Sequence, residues 1–346
     1  MPSLTIRLSA VAVLLMLATT LQAAVTVVAD EASNRVDVLV DGQPFTSYIW
    51  PDSLKKPVLY PLRSASGTVV TRGYPLDPRA GERTDHPHHV GLWLNYENVN
   101  GVDFWNNSTG LSAEQQAKMG TIVHRRIVKT RNGANEGELQ VAMDWIMPDG
   151  QPILRETADF IFRANSGSRI VDRISTLTAL DKPVVFKDAK DGMLAIRVRR
   201  ELEQPSTEAA TYTDSSGRAT TVKAMDTNGV TGLYRSSEGK TGDDVWGTRG
   251  RWTTLTGKVN DHDITLALID HPENAGFPTY WHARGYGLFA ANPLGQESFS
   301  KGKEKLNFTI QPKQSATFRY RLVILDSAAT PEQMEAQYKQ FVNEVK

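Results

Sequence analysis

The sequence predicts an all-β protein, built as a large antiparallel β-sandwich, and three observations carry that prediction. Runs rich in β-branched and aromatic residues recur roughly every ten to fifteen positions, a spacing closer to antiparallel sandwiches than to βαβ units. Turn residues punctuate them, as in Asp41-Gly42, Pro148-Asp149-Gly150 and Asn165-Ser166-Gly167. Helical signals are confined to a short stretch near 112–119 and to the C-terminus.

Val25–Ala29 and Arg35–Val40 read as the first strands, and the second alternates in polarity. Phe45–Trp50, Leu59–Leu62 and Thr68–Thr71 follow, and Pro75, Pro78 and Gly81 stiffen the next loop. Val90–Tyr96 reads as a strand and Val102–Trp105 as a second, shorter one. Ser112 has Gln115 three positions on, a capping-box spacing that predicts the helix near 112–119. Strands are then expected at 120–129, 138–147, 155–163 and 168–177, continuing through Val184–Phe186 and Leu194–Val198. The polar stretch 203–226 reads as a long excursion. Further strands are expected within 248–257, 264–269, 288–291, 306–310 and 317–325. Thr330 as N-cap and Pro331 in the first turn predict a terminal helix over 331–345.

The 346 residues are 40% hydrophobic, enough to bury a sizeable core. Arg7 followed by apolar Ala10–Leu21 reads as a signal peptide cleaved near Ala23, so residues 1–23 are assigned to it and 24–346 to a single β-sandwich domain. The protein is therefore expected in the periplasm or outside the cell, with no stable membrane insertion after cleavage. Lys+Arg and Asp+Glu both number 39, so no basic footprint argues for nucleic acid. No protein partner is evident. Cysteine is absent, which removes disulfides, thiolate ligands and a cysteine nucleophile.

Chemistry concentrates in Asp85-His86-Pro87-His88-His89, which holds three of the seven histidines. Read as a strand, His86 and His88 share one face and His89 takes the other. His86 and His88 are candidate ligands for one divalent metal ion, with a third ligand from elsewhere. The alternative is acid/base work by neutral imidazole, with His88 and His89 as candidate catalytic groups. A second segment runs from His271 to Tyr286, where His282 is a further catalytic candidate and Trp281 offers a face for a sugar ring. Glu297 is a candidate base, and Asn292 lies just before it. Arg72 is a candidate clamp for a carboxylate or hydroxyl array, and Trp93 and Asp103 are candidate pocket residues. No nucleophile elbow, phosphate-binding loop, dinucleotide fingerprint or zinc-protease helix motif occurs.

Ser47-Tyr-Ile-Trp-Pro, Asp85-His-Pro-His-His-Val-Gly-Leu-Trp, Asn100-Gly-Val-Asp-Phe-Trp and Pro278-Thr-Tyr-Trp-His-Ala-Arg-Gly-Tyr together resemble the PmoA family of bacterial proteins. That resemblance spans nearly all of the mature chain. The family's name implies a methane-oxygenase-related component, whereas the company its members keep, sugar oxidoreductases and carbohydrate catabolism, implies a carbohydrate substrate. The strand-rich layout is also similar to the galactose-mutarotase supersandwich, which implies His88 or His89 as acid and Glu297 as base. The expectation is an exported enzyme acting on a sugar or oxidised sugar derivative, of lyase, hydrolase or epimerase type. The rival is a non-catalytic periplasmic protein that binds a sugar or a metal ion.

Overall fold

A computed structural model describes residues 23–346. The expected signal peptide lies outside them except for its last residue. Among the described residues, two large antiparallel sheets stack face to face. One has nine strands, in the spatial order Tyr280–Arg284, Leu288–Asn292, Gly192–Arg197, Leu92–Tyr96, Val58–Leu59, Gln43–Ile49, Arg35–Val40, Ala24–Asp30 and Gly133–Ala134. The other has eight: Leu233–Ser236, Trp252–Val259, His262–Asp270, Ser315–Leu325, Ser168–Ala179, Pro152–Asn165, Glu136–Ile146 and Thr121–Arg131. The expected all-β antiparallel sandwich is what the chain forms. No helix among the described residues is long and apolar enough to cross a membrane.

Alternation builds the sandwich. In Arg35–Val40, Val36, Val38 and Val40 are buried while Arg35, Asp37 and Leu39 are partly exposed. These valines join Phe45, Leu92, Ile196 and Phe289 of the same sheet in one core with Val141, Phe160, Phe162, Leu268 and Leu322 of the other. Each such side chain contributes roughly 1.5–3 kcal/mol by leaving water. The terminal helix Pro331–Glu344 is capped by the Thr330/Gln333 box. It sets Met334 and Phe341 against Trp252, Ile269 and Val323 on the far side of the eight-stranded sheet.

Several expected elements differ. The helix near 112–119 is a single turn, Ala113–Gln116, with the Ser112/Gln115 capping box in place. In Val102–Trp105 only Val102 and Asp103 make isolated bridges, to Val99 and Met119; the chain then bends, because the Asp103 carboxylate accepts from the backbone N–H of Trp105 and Asn106. Val184–Phe186 leaves the main sheets and pairs with Phe308–Ile310. The polar excursion holds a small hairpin, Ala210–Thr213 with Ala219–Val222. Tyr280–Arg284, not among the expected strands, is an edge strand of the nine-stranded sheet.

Register then decides which side chains can meet. Trp93 lies opposite Ala195, Ala195 opposite Ala290, and Ala290 opposite His282. Directly opposed residues share a face, so this row lies on the outer side of the nine-stranded sheet. The next row, Leu94, Leu194, Ala291 and Trp281, points into the core.

Candidate functional site

The histidine segment is a tight turn, which overturns the strand reading. His89 N–H donates to the His86 carbonyl at 3.0 Å, and His86 sits at φ 44°. That left-handed conformation is unfavourable for a non-glycine residue, and more so before a proline. The turn brings all three imidazoles together instead of splitting them between two faces. His86 and His89 stack parallel at 4.8 Å, and His88 meets His89 edge-on at 4.3 Å. The stack continues outward to Tyr286, 5.3 Å from His86, and inward to Trp93, 5.2 Å from His89.

Two buried guanidinium groups hold the turn. Arg72 donates to the carbonyls of Arg83, Asp85, His86 and His89 and to Asp85 Oδ1, at 2.8 to 3.2 Å. Arg197 donates to Asp85 Oδ1 at 2.6 Å and contacts His89 Nδ1 at 3.1 Å. A guanidinium is donor-only, so His89 Nδ1 is the acceptor and its proton is assigned to Nε2. Lys56 Nζ donates to the His88 carbonyl at 2.7 Å and lies 5.2 Å over the Trp93 ring. Arg72, expected as a substrate clamp, spends its Nη hydrogens on this scaffold.

Burial sets the protonation states. It pushes His88 down to about 2, with Lys56 and then His86 adding repulsion. It likewise drives His89 well below its ordinary value, helped by His88 and Arg197. Both rings are therefore neutral at pH 7. Burial pushes the Lys56 amine down to about 7, with Asp103 opposing. Burial would raise Asp85, but the His86 contact and the two arginines outweigh it and hold the carboxylate well below its usual range. His86 Nδ1 stands 3.1 Å from Asp85 Oδ2, within reach of a hydrogen bond though off the ideal angle. The His86 side chain is 41% exposed, against 9% for residue His88 and 2% for His89. His86 is the imidazole a ligand can reach. Nε2 of His88 and of His89 is buried without a hydrogen-bond partner.

The other expected site residues divide. Trp93 joins the ring stack. His282 shares its outer face but stands three strands away, roughly 14 Å by strand spacing. Its Nδ1 meets the Lys190 carbonyl at 2.9 Å and Asp191 Oδ1 at 3.2 Å, and burial lowers it to about 4. Trp281 faces the core, where no sugar can stack on it. Asn292 is buried and ties the loop at Ala189 and Lys190. Glu297 lies on the one-turn helix Gln296–Phe299, and its carboxylate pairs with Lys305 at 2.9 Å. Asp103 holds its own turn, and burial raises its carboxyl.

Beside the ring stack opens a cleft of ≈350 Å³, lined by Arg83, Gln204, Asp243, Trp246, Arg284 and Tyr286 among others. The sequence reading missed Arg197, Trp246 and Arg284 as site residues. A signal existed for Arg197, an arginine at the end of an otherwise apolar strand. Assigning 280–284 as a strand would also have put His282 and Arg284 on one face.

The donor set does not suit a metal ion. His86 Nδ1 faces Asp85, His89 Nδ1 is taken by Arg197, and Arg72, Arg197 and Lys56 bring positive charge to the turn. Among the described residues no group of three or more His, Cys, Asp or Glu is placed to hold one.

Residues 35–339 match the model of a family described as "Family of unknown function (DUF6807)". The chain belongs to that family. No curated protein matches it. Among solved structures, the galactosidase domain of an α-galactosidase–sucrose kinase is similar at 8% identity and TM-score 0.42, over 87% of this chain and 42% of that one. A GH36 α-galactosidase from Geobacillus stearothermophilus gives 8% identity and TM-score 0.34, over 88% and 41%. The chain thus spans well under half the length of either. Galactose 1-epimerase from Lactobacillus acidophilus NCFM gives 11% identity and TM-score 0.35, over 88% of this chain and 98% of that one. Neither the family description nor these three structures bears the PmoA name.

Proposed function

We propose that this protein is an exported carbohydrate-active enzyme in which His86, oriented by Asp85, moves a proton on a bound sugar or oxidised sugar derivative. The reading rests on the site's own chemistry. The observation that carries it is the Asp85–His86 pair, held in a left-handed turn by two buried arginines and exposed beside a polar, aromatic-walled cleft. A backbone held against its preference by so many hydrogen bonds is the kind of strain that accumulates at functional sites. A carboxylate on one imidazole nitrogen fixes the tautomer and leaves the other nitrogen to take or give a proton. Burial raises the Tyr286 hydroxyl, so at neutral pH it stays protonated and can donate to a sugar oxygen. His88 and His89 support the turn as neutral rings, in place of the metal-ligand and acid/base roles that the sequence offered for them. Export rests on the N-terminal sequence, with a periplasmic or extracellular location as its consequence.

The test is an NMR assay of the intact chain on aldoses, uronates and keto-sugars, following anomer exchange, epimerisation and elimination. Turnover of one class, lost in His86→Ala with ligand affinity kept, is the expected result. Binding without turnover of any class would instead support a non-catalytic sugar-binding protein.

A further inference from the structure

We propose that the cleft beside the histidine turn selects a sugar acid, a uronate or aldonate, and that Arg284 is the receptor for its carboxylate. The proposal rests on the carbohydrate reading above and narrows its substrate.

Arg284 ends the edge strand Tyr280–Arg284 and lines the cleft. Its guanidinium lies 5.5 Å from the centre of the Trp246 ring and 5.7 Å from that of Tyr286. It is partly buried between the two, and no carboxylate among the described residues pairs with it. Most arginines around it are committed. Arg72 and Arg197 hold Asp85, and Arg83 gives its Nε to Glu203 at 2.8 Å. A guanidinium already in contact with two rings loses little freedom when it binds a carboxylate through two parallel hydrogen bonds.

The cleft also carries negative charge, and its placement fits the same ligand. Asp243 accepts from the Gln204 amide at 2.7 Å, and Glu208 is exposed on the lip. Exposed carboxylates and an amide suit sugar hydroxyls, which donate and accept. Trp246, 40% exposed, adds an apolar surface for the ring's C–H groups. A molecule with one carboxylate, several hydroxyls and an apolar ring face uses every one of these features. A neutral hexose would leave Arg284 desolvated and without a partner.

The experiment is isothermal titration of the intact chain with galacturonate, glucuronate and gluconate, beside galactose, glucose and acetate. Wild type is compared with Arg284→Gln and Arg284→Lys, each first checked for an unchanged thermal transition. The expected result is that at least one sugar acid binds roughly tenfold or more tightly than its neutral counterpart, the scale of one charge-assisted hydrogen bond. That preference should vanish in Arg284→Gln and survive in part in Arg284→Lys. Neutral sugars binding as tightly as the acids, or a preference unchanged in Arg284→Gln, would overturn the proposal while leaving the carbohydrate reading intact. Acetate binding as tightly as a uronate would overturn the sugar part of it. No binding by any sugar at millimolar concentration would overturn both.

Discussion

Each sheet carries a cluster of buried charge, and the two are finished differently. On the eight-stranded sheet, Asp172 is fully buried and accepts from Arg321 with both of its oxygens, at 2.6 and 2.8 Å, with Arg163 also on one of them. Arg321 also reaches Glu344 at 2.6 Å, and its guanidinium lies 5.0 Å from the Phe341 ring of the terminal helix that covers the cluster. On the nine-stranded sheet, Arg72 and Arg197 converge on Asp85 just as closely, yet the cluster stays open. Asp85 is 32% exposed, His86 is held at positive φ, and three imidazole nitrogens, Nδ1 of His86 and Nε2 of His88 and His89, have no well-aligned hydrogen-bond partner. The first cluster fastens a helix to a sheet. The second uses the same ions to hold a strained turn beside a cleft, and that difference is why we propose it as the working site.

The sharpest way to break this comparison is to remove one group from each side. His86→Ala should lower turnover by about 10²–10⁴-fold, the range for losing a general acid or base, with stability changed little. Steady-state kinetics beside urea melts would check both halves. Arg321→Met should do the reverse, costing about 3–5 kcal/mol because it removes both Arg321 hydrogen bonds from a buried carboxylate and leaves it Arg163 alone. Sugar affinity per folded molecule should be unchanged, measured by titration below the melting range. Acid sharpens the contrast further. An unfolded His88 takes a proton near its ordinary 6.5, whereas the folded one resists to about 2. The unfolded state therefore binds more protons, and stability present above pH 6.5 is lost as the pH falls. The slope should reach about 1.4 kcal/mol per pH unit for such a histidine, and His88→Gln should flatten it in urea melts at pH 7, 6 and 5. The smallest stability effect is that of His86→Gly, which relieves the left-handed strain and should raise stability by up to about 1 kcal/mol while lowering turnover as His86→Ala does. A loss of stability there would mean the turn is not strained.

The sandwich was legible because alternation and turn residues are local signals. Val36, Val38 and Val40 report a buried face without help from the rest of the chain. The histidine turn was legible as a place but not as a geometry. Pro87 and the requirements of Arg72 and Arg197 fold it back on itself, and Arg197 lies more than a hundred residues downstream. Trp281 was taken for a sugar platform because alternation was not applied to 280–284; as a strand this segment turns Trp281 to the core and His282 to the outer face. Glu297 attracted attention as a carboxylate beyond a strand, but its pairing with Lys305 depends on how the chain returns after a one-turn helix. Arg284 was hidden for a similar reason, since its two ring partners come from different loops.

Histidine-selective imidazole NMR during titration with a uronate tests the central claim most directly. The account predicts that His86 moves first and furthest, followed by His89 and His88 beneath it, while His124, His262 and His271 stay in place. His124 stacks on Trp50 in a second cleft of ≈350 Å³. Shifts at His124 with His86 unmoved would put the ligand there, and the histidine turn would lose its claim to be the working site.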